Sequence, residues 1–221
     1  MSKVGVLLSG CGVYDGAEIH ESVITLLALD RAGADVLMVA PDVELEVVDH
    51  LSGEQSGERR NVLKESARIA RGEIKALRDL SADDIDALIL PGGFGAAKNL
   101  SDFATRGAEA VAIPEVARIL REMRAAGKPI GAICIAPSVL AAALGEDEPG
   151  LKLTIGNDEA TAGVLEELGA SHENCEVHRF VVDEERKIVS TPAYMLAERI
   201  SEAAEGIERL VVEVLRLVVS E

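Results

Sequence analysis

Tryptophan is absent from this 221-residue chain, and phenylalanine and tyrosine together make up only 2% of it. The core must therefore be aliphatic and alanine-rich, and the 48% hydrophobic content is enough to build a sizeable one. Long apolar runs are missing as well. The longest, around residues 129–144, is broken by Gly131 and Pro137, which excludes a membrane-spanning helix there. After MSK the chain runs straight into VGVLL and SGCG, too short an apolar stretch for a secretory leader. Basic residues are scarce: 22 Lys and Arg stand against 39 Asp and Glu, a formal net charge of -17. With nothing basic clustered, a phosphate backbone is repelled, so no nucleic-acid partner is expected. Three cysteines (Cys11, Cys134 and Cys175) are an odd number without framework spacing. That excludes a disulfide scaffold and points to a reducing compartment, so a soluble, cytoplasmic protein is the expectation.

What the chain does have is a regular alternation of strand-like and helix-like segments. Residues 4–8 are a continuous apolar run closed by SGCG, as in a strand buried on both faces. Residues 17–31 place Ile19, Val23, Leu26 and Leu27 at helical spacing, with Gly33 as the stop, and residues 35–40 give a second strand. ELEVVDHL reads as a strand, residues 61–70 as a helix and EIKALRDL as a further short strand. DIDALIL runs into the glycine turn PGGFG, and residues 114–126 form a helix opened by proline and stopped by Gly127. PIGAIC is a strand and APSVLAAAL a helix, with almost no loop between them. LKLTI is a strand, residues 159–168 a helix, HRFVVDEERKIVST two strands around a charged turn, and residues 195–219 a long closing helix. No linker rich in Gly, Ser or Pro divides the chain. A single α/β domain over residues 1–221 is expected, with helices on both faces of a mostly parallel sheet.

In such sheets ligands sit outside the carboxyl ends of the strands, and three segments bring unusual chemistry to that edge. The first, SGCGVYDG, sets Gly10, Gly12 and Gly16 between a strand and a helix, the context of a dinucleotide cradle. Its third glycine comes one place late and no acidic residue closes the second strand, so a tight loop serving another site is the stronger reading. PGGFGAAKNL is no Walker loop, because Lys98 lacks the preceding Gly and the following Ser or Thr. His172, Cys175 and His178 have ligand-like spacing but no second half nearby, so no metal is expected.

The sharpest signal is Cys134, at the junction of strand and helix in GAICIAPS. A residue there can be held in strained backbone with its side chain lifted above the sheet, facing amides and a helix dipole that favour a thiolate. The competing reading is a small buried thiol packed like alanine. PGGFG favours the first, because free amides at Gly93 and Phe94 would offer an oxyanion hole beside the elbow. A nucleophile also needs a proton partner. No histidine follows Cys134 in an H-x-E setting, which leaves Glu18, His20 and Glu21 at the start of the first helix. Glu18 suits the helix N-terminus as a charge. Glu21, one turn deeper beside Val23 and Ile24, is placed to be desolvated and kept protonated.

Taken together, VLLSGCGVYDGAEIHE, PGGFGAAKNL, GKPIGAICIAP, LTIGND and STPAYMLAE, in order from residue 6 to residue 198, resemble the class I glutamine-amidotransferase-like superfamily in its PfpI branch. They are most similar to the bacterial ElbB-type glyoxalases, earlier linked to isoprenoid biosynthesis. The resemblance implies a flavodoxin-like three-layer sandwich, a homodimer, Cys134 at the elbow and Glu21 beside it. It further implies oxyanion donors at the amides of Gly93 and Ile135, with Gly92 and His20 in secondary places. The histidine that often follows the next strand in this branch would fall in TIGND, near Gly156, so no triad histidine is carried over. That removes amidotransferase and ordinary peptidase chemistry. The implied activity is the conversion of glyoxal to glycolate without glutathione, metal or organic cofactor, by a thiol ionised near neutrality in a small polar pocket. Dicarbonyl adducts would be further substrates. The alternative is a redox-sensing or regulatory protein in which Cys134 is oxidised rather than turned over.

Overall fold

A computed structural model describes residues 1–219. In chain order its elements are β1 (Lys3–Leu7), α1 (Ile19–Arg31), β2 (Asp35–Ala40), the hairpin of β3 (Glu44–Val48) and β4 (Gln55–Asn61), α2 (Val62–Ile69), β5 (Lys75–Ala76), β6 (Ala87–Leu90) and α3 (Phe103–Arg106). There follow α4 (Pro114–Ala125), β7 (Ile130–Ile133), α5 (Pro137–Leu144), β8 (Leu151–Leu153), α6 (Glu159–Glu167), β9 (Ala170–His172), β10 (Val181–Asp183), β11 (Ile188–Thr191) and α7 (Ile200–Val219).

The central sheet has the order β10-β11-β7-β6-β1-β2-β5. Its pairs are parallel apart from β10, which runs antiparallel to β11 at one edge. Strand alternation divides the core in two. Leu7, Leu88, Leu90 and Ile130 face α4 and α5, where Ile119, Leu120, Met123 and Leu140 meet them. Val4, Val6, Ala87 and Ile89 face α1 and α7, meeting Ala28, Leu29, Ile207 and Leu210. The expected three-layer α/β fold, mostly parallel with helices on both faces, is the fold observed. From β1 the chain moves outward to β2, then returns to build β6, β7 and β11 on the other side. The loops after β1 and β6 therefore diverge, and a crevice opens at their carboxyl ends.

Several elements depart from the sequence expectations, each for an identifiable reason. Helix α1 starts two residues later than the apolar spacing implied, because Glu18 is its N-cap and accepts a hydrogen bond from the Glu21 amide at 2.7 Å. Strand β4 has no counterpart in the sequence pattern. QSGERRN is polar throughout and mostly exposed, since it is β3 that buries Leu45 and Val48, and β4 is the outer strand of the hairpin. Its cross-strand partners are charged, with Arg59 reaching Glu44 and Glu46. EIKALRDL contributes only the two residues of β5 before a short 3-10 turn. LKLTI does form β8, but it pairs with β9 in a separate two-stranded sheet. The closing helix begins at Ile200, not at residue 195. Residues Ala193–Met195 instead form a 3-10 turn, and that turn belongs to the site described next.

Candidate active site

The carboxyl ends of β1, β6, β7 and β11 converge on Cys134. Strand β7 stops at Ile133 and α5 starts at Pro137, so three residues must turn the chain. Cys134 takes the left-handed conformation, φ +61°, which costs a residue with a Cβ roughly 1–2 kcal/mol. Surrounding bonds hold it there: its amide donates to the Thr191 carbonyl at the end of β11 (2.9 Å), and the Ala136 amide donates back to Ile133 (3.0 Å). Pro137, first in α5, has no amide proton to leave unsatisfied.

Glu21 comes from α1 and is fully buried. Its carboxyl accepts the Gly92 amide at 2.9 Å and the Tyr194 amide at 3.2 Å, and it is hydrogen-bonded to the Cys134 thiol. Burial, with a smaller push from the charge of Glu18, raises its pKa to about 8; the bonds from Tyr194, Cys134 and Gly92 oppose the rise without cancelling it. Burial, then the neighbouring Glu21 charge, also pushes the Cys134 thiol well above the ordinary thiol range. The amides of Gly93 and Ile135 donate to the sulfur and pull the other way. A thiol already ionised near neutrality was the sequence expectation, and it does not hold for the resting site. Desolvation in the crevice outweighs the amides that open α5.

Gly92 is glycine because of this pair. A Cβ there would lie 2.5 Å from the Cys134 Cβ and 2.8 Å from Glu21 Oε2. Gly93, at φ +91°, brings its amide to the sulfur, and a Cβ on it would run into the Gly16 carbonyl and the Glu18 amide. Phe94 corrects the reading of its amide as free: it donates to the Val13 carbonyl at 2.8 Å. The SGCGVYDG loop has no free amides to offer a phosphate at its glycines either. Gly10 donates to Ser66 Oγ, Gly12 to the Ala17 carbonyl and Gly16 to the Gly12 carbonyl. The loop is a brace: Asn99 Nδ2 ties the Ser9 and Asp15 carbonyls to the PGGFG turn at 2.8 Å each.

His20 lies on the exposed side of α1, where its Nδ1 meets the Tyr194 hydroxyl at 2.8 Å. Tyr194 is the residue that sequence reasoning missed. It falls between the last expected strand and the closing helix, with no role read for it, yet its amide binds Glu21 and it lines the site. Its position just beyond β11, at the same sheet edge as the cysteine elbow, is the signal that could have found it. The metal-like trio is put to other uses: His172 Nε2 accepts the Ile155 amide, and His178 pairs with Glu176.

Above the thiol lies a cavity of about 350 Å³. Its walls include Val13, Phe94, Phe103, Ala104, Ile135 and Met195, so the small polar pocket expected around the thiol is instead larger and mostly apolar. Its polar lining comes from Glu18, Thr161 and Tyr194, beside Cys134 itself.

Comparison with known proteins places this geometry among relatives. The pattern that defines the DJ-1/PfpI family matches residues 11–191. A human protein named glutamine amidotransferase-like class 1 domain-containing protein 3, mitochondrial, is 47% identical across 98% of this chain and 83% of its own length. The rat ES1 protein homolog, also named mitochondrial, is likewise 47% identical, over 98% of this chain and 84% of its own. Among solved structures, an isoprenoid biosynthesis protein with an amidotransferase-like domain from Ehrlichia chaffeensis superposes with a TM-score of 0.92 at 37% identity, over 98% of this chain and 99% of that one. The two mitochondrial relatives overturn the expectation of a cytoplasmic protein. An acidic surface and unpaired cysteines suit any reducing aqueous compartment, so composition had no means of singling out the cytosol.

Proposed function

The chain belongs to the DJ-1/PfpI family, and from that premise we propose that it is an ElbB-type glyoxalase, independent of glutathione and of any cofactor, that converts glyoxal to glycolate. The observation that carries this reading is the buried, hydrogen-bonded pair of Glu21 and Cys134 beneath an open cavity. A carboxyl with a pKa of about 8 can both take and return a proton near neutral pH, as the reaction requires.

The sulfur of Cys134 adds to one aldehyde carbon; its proton passes to Glu21 and the carbonyl electron pair moves onto oxygen. The amides of Gly93 and Ile135, which donate to the sulfur at rest, are in reach of that oxygen one bond further out. Glu21 hands the thiol proton to that oxyanion, completing the hemithioacetal. As a carboxylate again, it takes the proton from the first carbon and returns it to the second through an enediol, leaving a thioester next to a hydroxymethyl group. Water cleaves the thioester, releasing glycolate and restoring the thiol. One carbon is oxidised and its neighbour reduced, so no external oxidant enters. Gly92 positions Glu21 through its amide, and His20 stays secondary, joined to the site through Tyr194.

A homodimer is part of the reading. Ile19, Val23 and Leu27 make an exposed apolar stripe along α1 that a second copy would cover. The redox-sensor alternative ranks lower, because a sensor thiol is accessible and of low pKa, whereas Cys134 is 7% exposed and raised. The test is proton NMR of glyoxal with wild type, Cys134→Ser and Glu21→Gln. Catalytic glycolate formation is expected from wild type only, with Glu21→Gln down by about 10²–10⁴-fold. Equal rates in all three would end the assignment, and one equivalent consumed without turnover would favour the sensor.

A further inference from the structure

The chain holds five aromatic residues other than histidine, three Phe and two Tyr. Three of them, Phe94, Phe103 and Tyr194, line the cavity above Cys134. That is a concentration in a chain that does almost entirely without aromatics elsewhere. Phe94 is 49% exposed, and the buried members of both core clusters include no aromatic side chain, Phe103 and Tyr194 lying only partly buried at their margins. Phe94 and Phe103 come from different segments, the PGGFG turn and α3, and reach the cavity from separate directions.

Size and charge agree with the aromatic lining. A cavity of about 350 Å³ falls in the range that takes drug-sized ligands, and glyoxal, with four heavy atoms, leaves most of it unfilled. Among the described residues lining it, Glu18 is acidic and none is basic. Lys98 lies over the Phe94 ring, 5.3 Å from its centroid, and is held by the Tyr14 carbonyl at 2.9 Å. An anionic substrate would bury its charge against Glu18 with no partner in the wall.

We propose that the substrate class of this site is the uncharged 2-oxoaldehydes bearing an aromatic or comparably bulky apolar substituent, with the aldehyde at Cys134 and the substituent between Phe94, Phe103 and Met195. The proposal rests on the glyoxalase reading above. The chemistry is unchanged and balances in the same way: the aldehyde carbon ends as a carboxylate, the neighbouring ketone as a secondary alcohol, with one water consumed.

The test compares initial rates with glyoxal, phenylglyoxal and 4-carboxyphenylglyoxal, with Cys134→Ser as the blank that subtracts any modification of surface arginines. Filling an apolar pocket discriminates by about tenfold or more for small apolar increments, so phenylglyoxal should exceed glyoxal in kcat/KM by at least about tenfold. The carboxylated analogue, differing only by its remote charge, should fall back by a similar factor. If glyoxal is turned over but phenylglyoxal is no better, or the carboxylated analogue does as well as phenylglyoxal, the substrate class is wrong and the glyoxalase reading stands. If no substrate is turned over above the Cys134→Ser blank, both fall together.

Discussion

At pH 7 the Glu21 carboxyl, with a pKa of about 8, still holds its proton, and Cys134, raised further by burial, holds its own. The form of the pair that can attack a carbonyl has one proton fewer: a Glu21 carboxylate placed to take the thiol proton as the sulfur adds. Loss of the first proton from the pair is what pH controls, and the reactive population grows as pH rises through about 8. Below that value kcat/KM for glyoxal should increase close to tenfold per pH unit and level off above it; a profile flat from pH 6 to 9 would separate the pair from the chemistry. The burial of Glu21 was foreseen in the sequence, though for an imperfect reason. Val23, one of the apolar neighbours that suggested it, points outward at 49% exposure. What encloses Glu21 lies across space: Gly92, Cys134 and the turn at Tyr194. The raised thiol was not legible, because helix amides favouring an anion can be read from sequence while the desolvation that defeats them comes from packing.

Helix α1, the PGGFG turn and the loop after β1 are fastened to one another mainly by backbone and amide hydrogen bonds. Asn99 is the clearest fastener, since its single amide nitrogen satisfies two buried carbonyls from the facing loop. Asn99→Ala should orphan both and cost about 1–3 kcal/mol in denaturant unfolding. It should also lower glyoxal turnover by letting Gly93 drift from the sulfur; an unchanged unfolding midpoint would contradict the role. The elements that define this region were readable wherever burial leaves an apolar signature, as continuous runs in β1, β6 and β7, which are buried on both faces, and as the apolar face of α4. Those that escaped are of two kinds. Polar β4 is solvated on both faces and so has no alternation to detect. The turn at Ala193–Met195 has an apolar composition that fits the helix after it, and only its contact with Glu21 fixes it as a turn.

Across the whole molecule, the parallel strand order decides which residues can meet. Gly92 and Gly93 follow β6, Cys134 follows the adjacent β7, and Tyr194 follows β11 beside that, so three chain-distant segments share one edge. Glu21 joins them because α1 leaves β1, the strand on the other side of β6. The same helix carries the exposed stripe of Ile19, Val23 and Leu27 on its outer side. Sedimentation should give twice the 23.3 kDa chain mass, and Val23→Glu, which puts a charge into the stripe without touching the core, should shift the protein towards monomer. A wild type that sediments as a monomer would leave the stripe without that purpose.

All of this depends on Glu21 being a carboxylic acid rather than a carboxylate in the resting protein. Carbon-13 NMR of protein labelled at the glutamate carboxyl carbons, with the Glu21 resonance identified by its loss in Glu21→Gln, measures that proton directly across pH 3 to 10. The Glu21 carboxyl is expected to titrate near 8; a midpoint close to the ordinary 4.5 of a free glutamate would contradict the account.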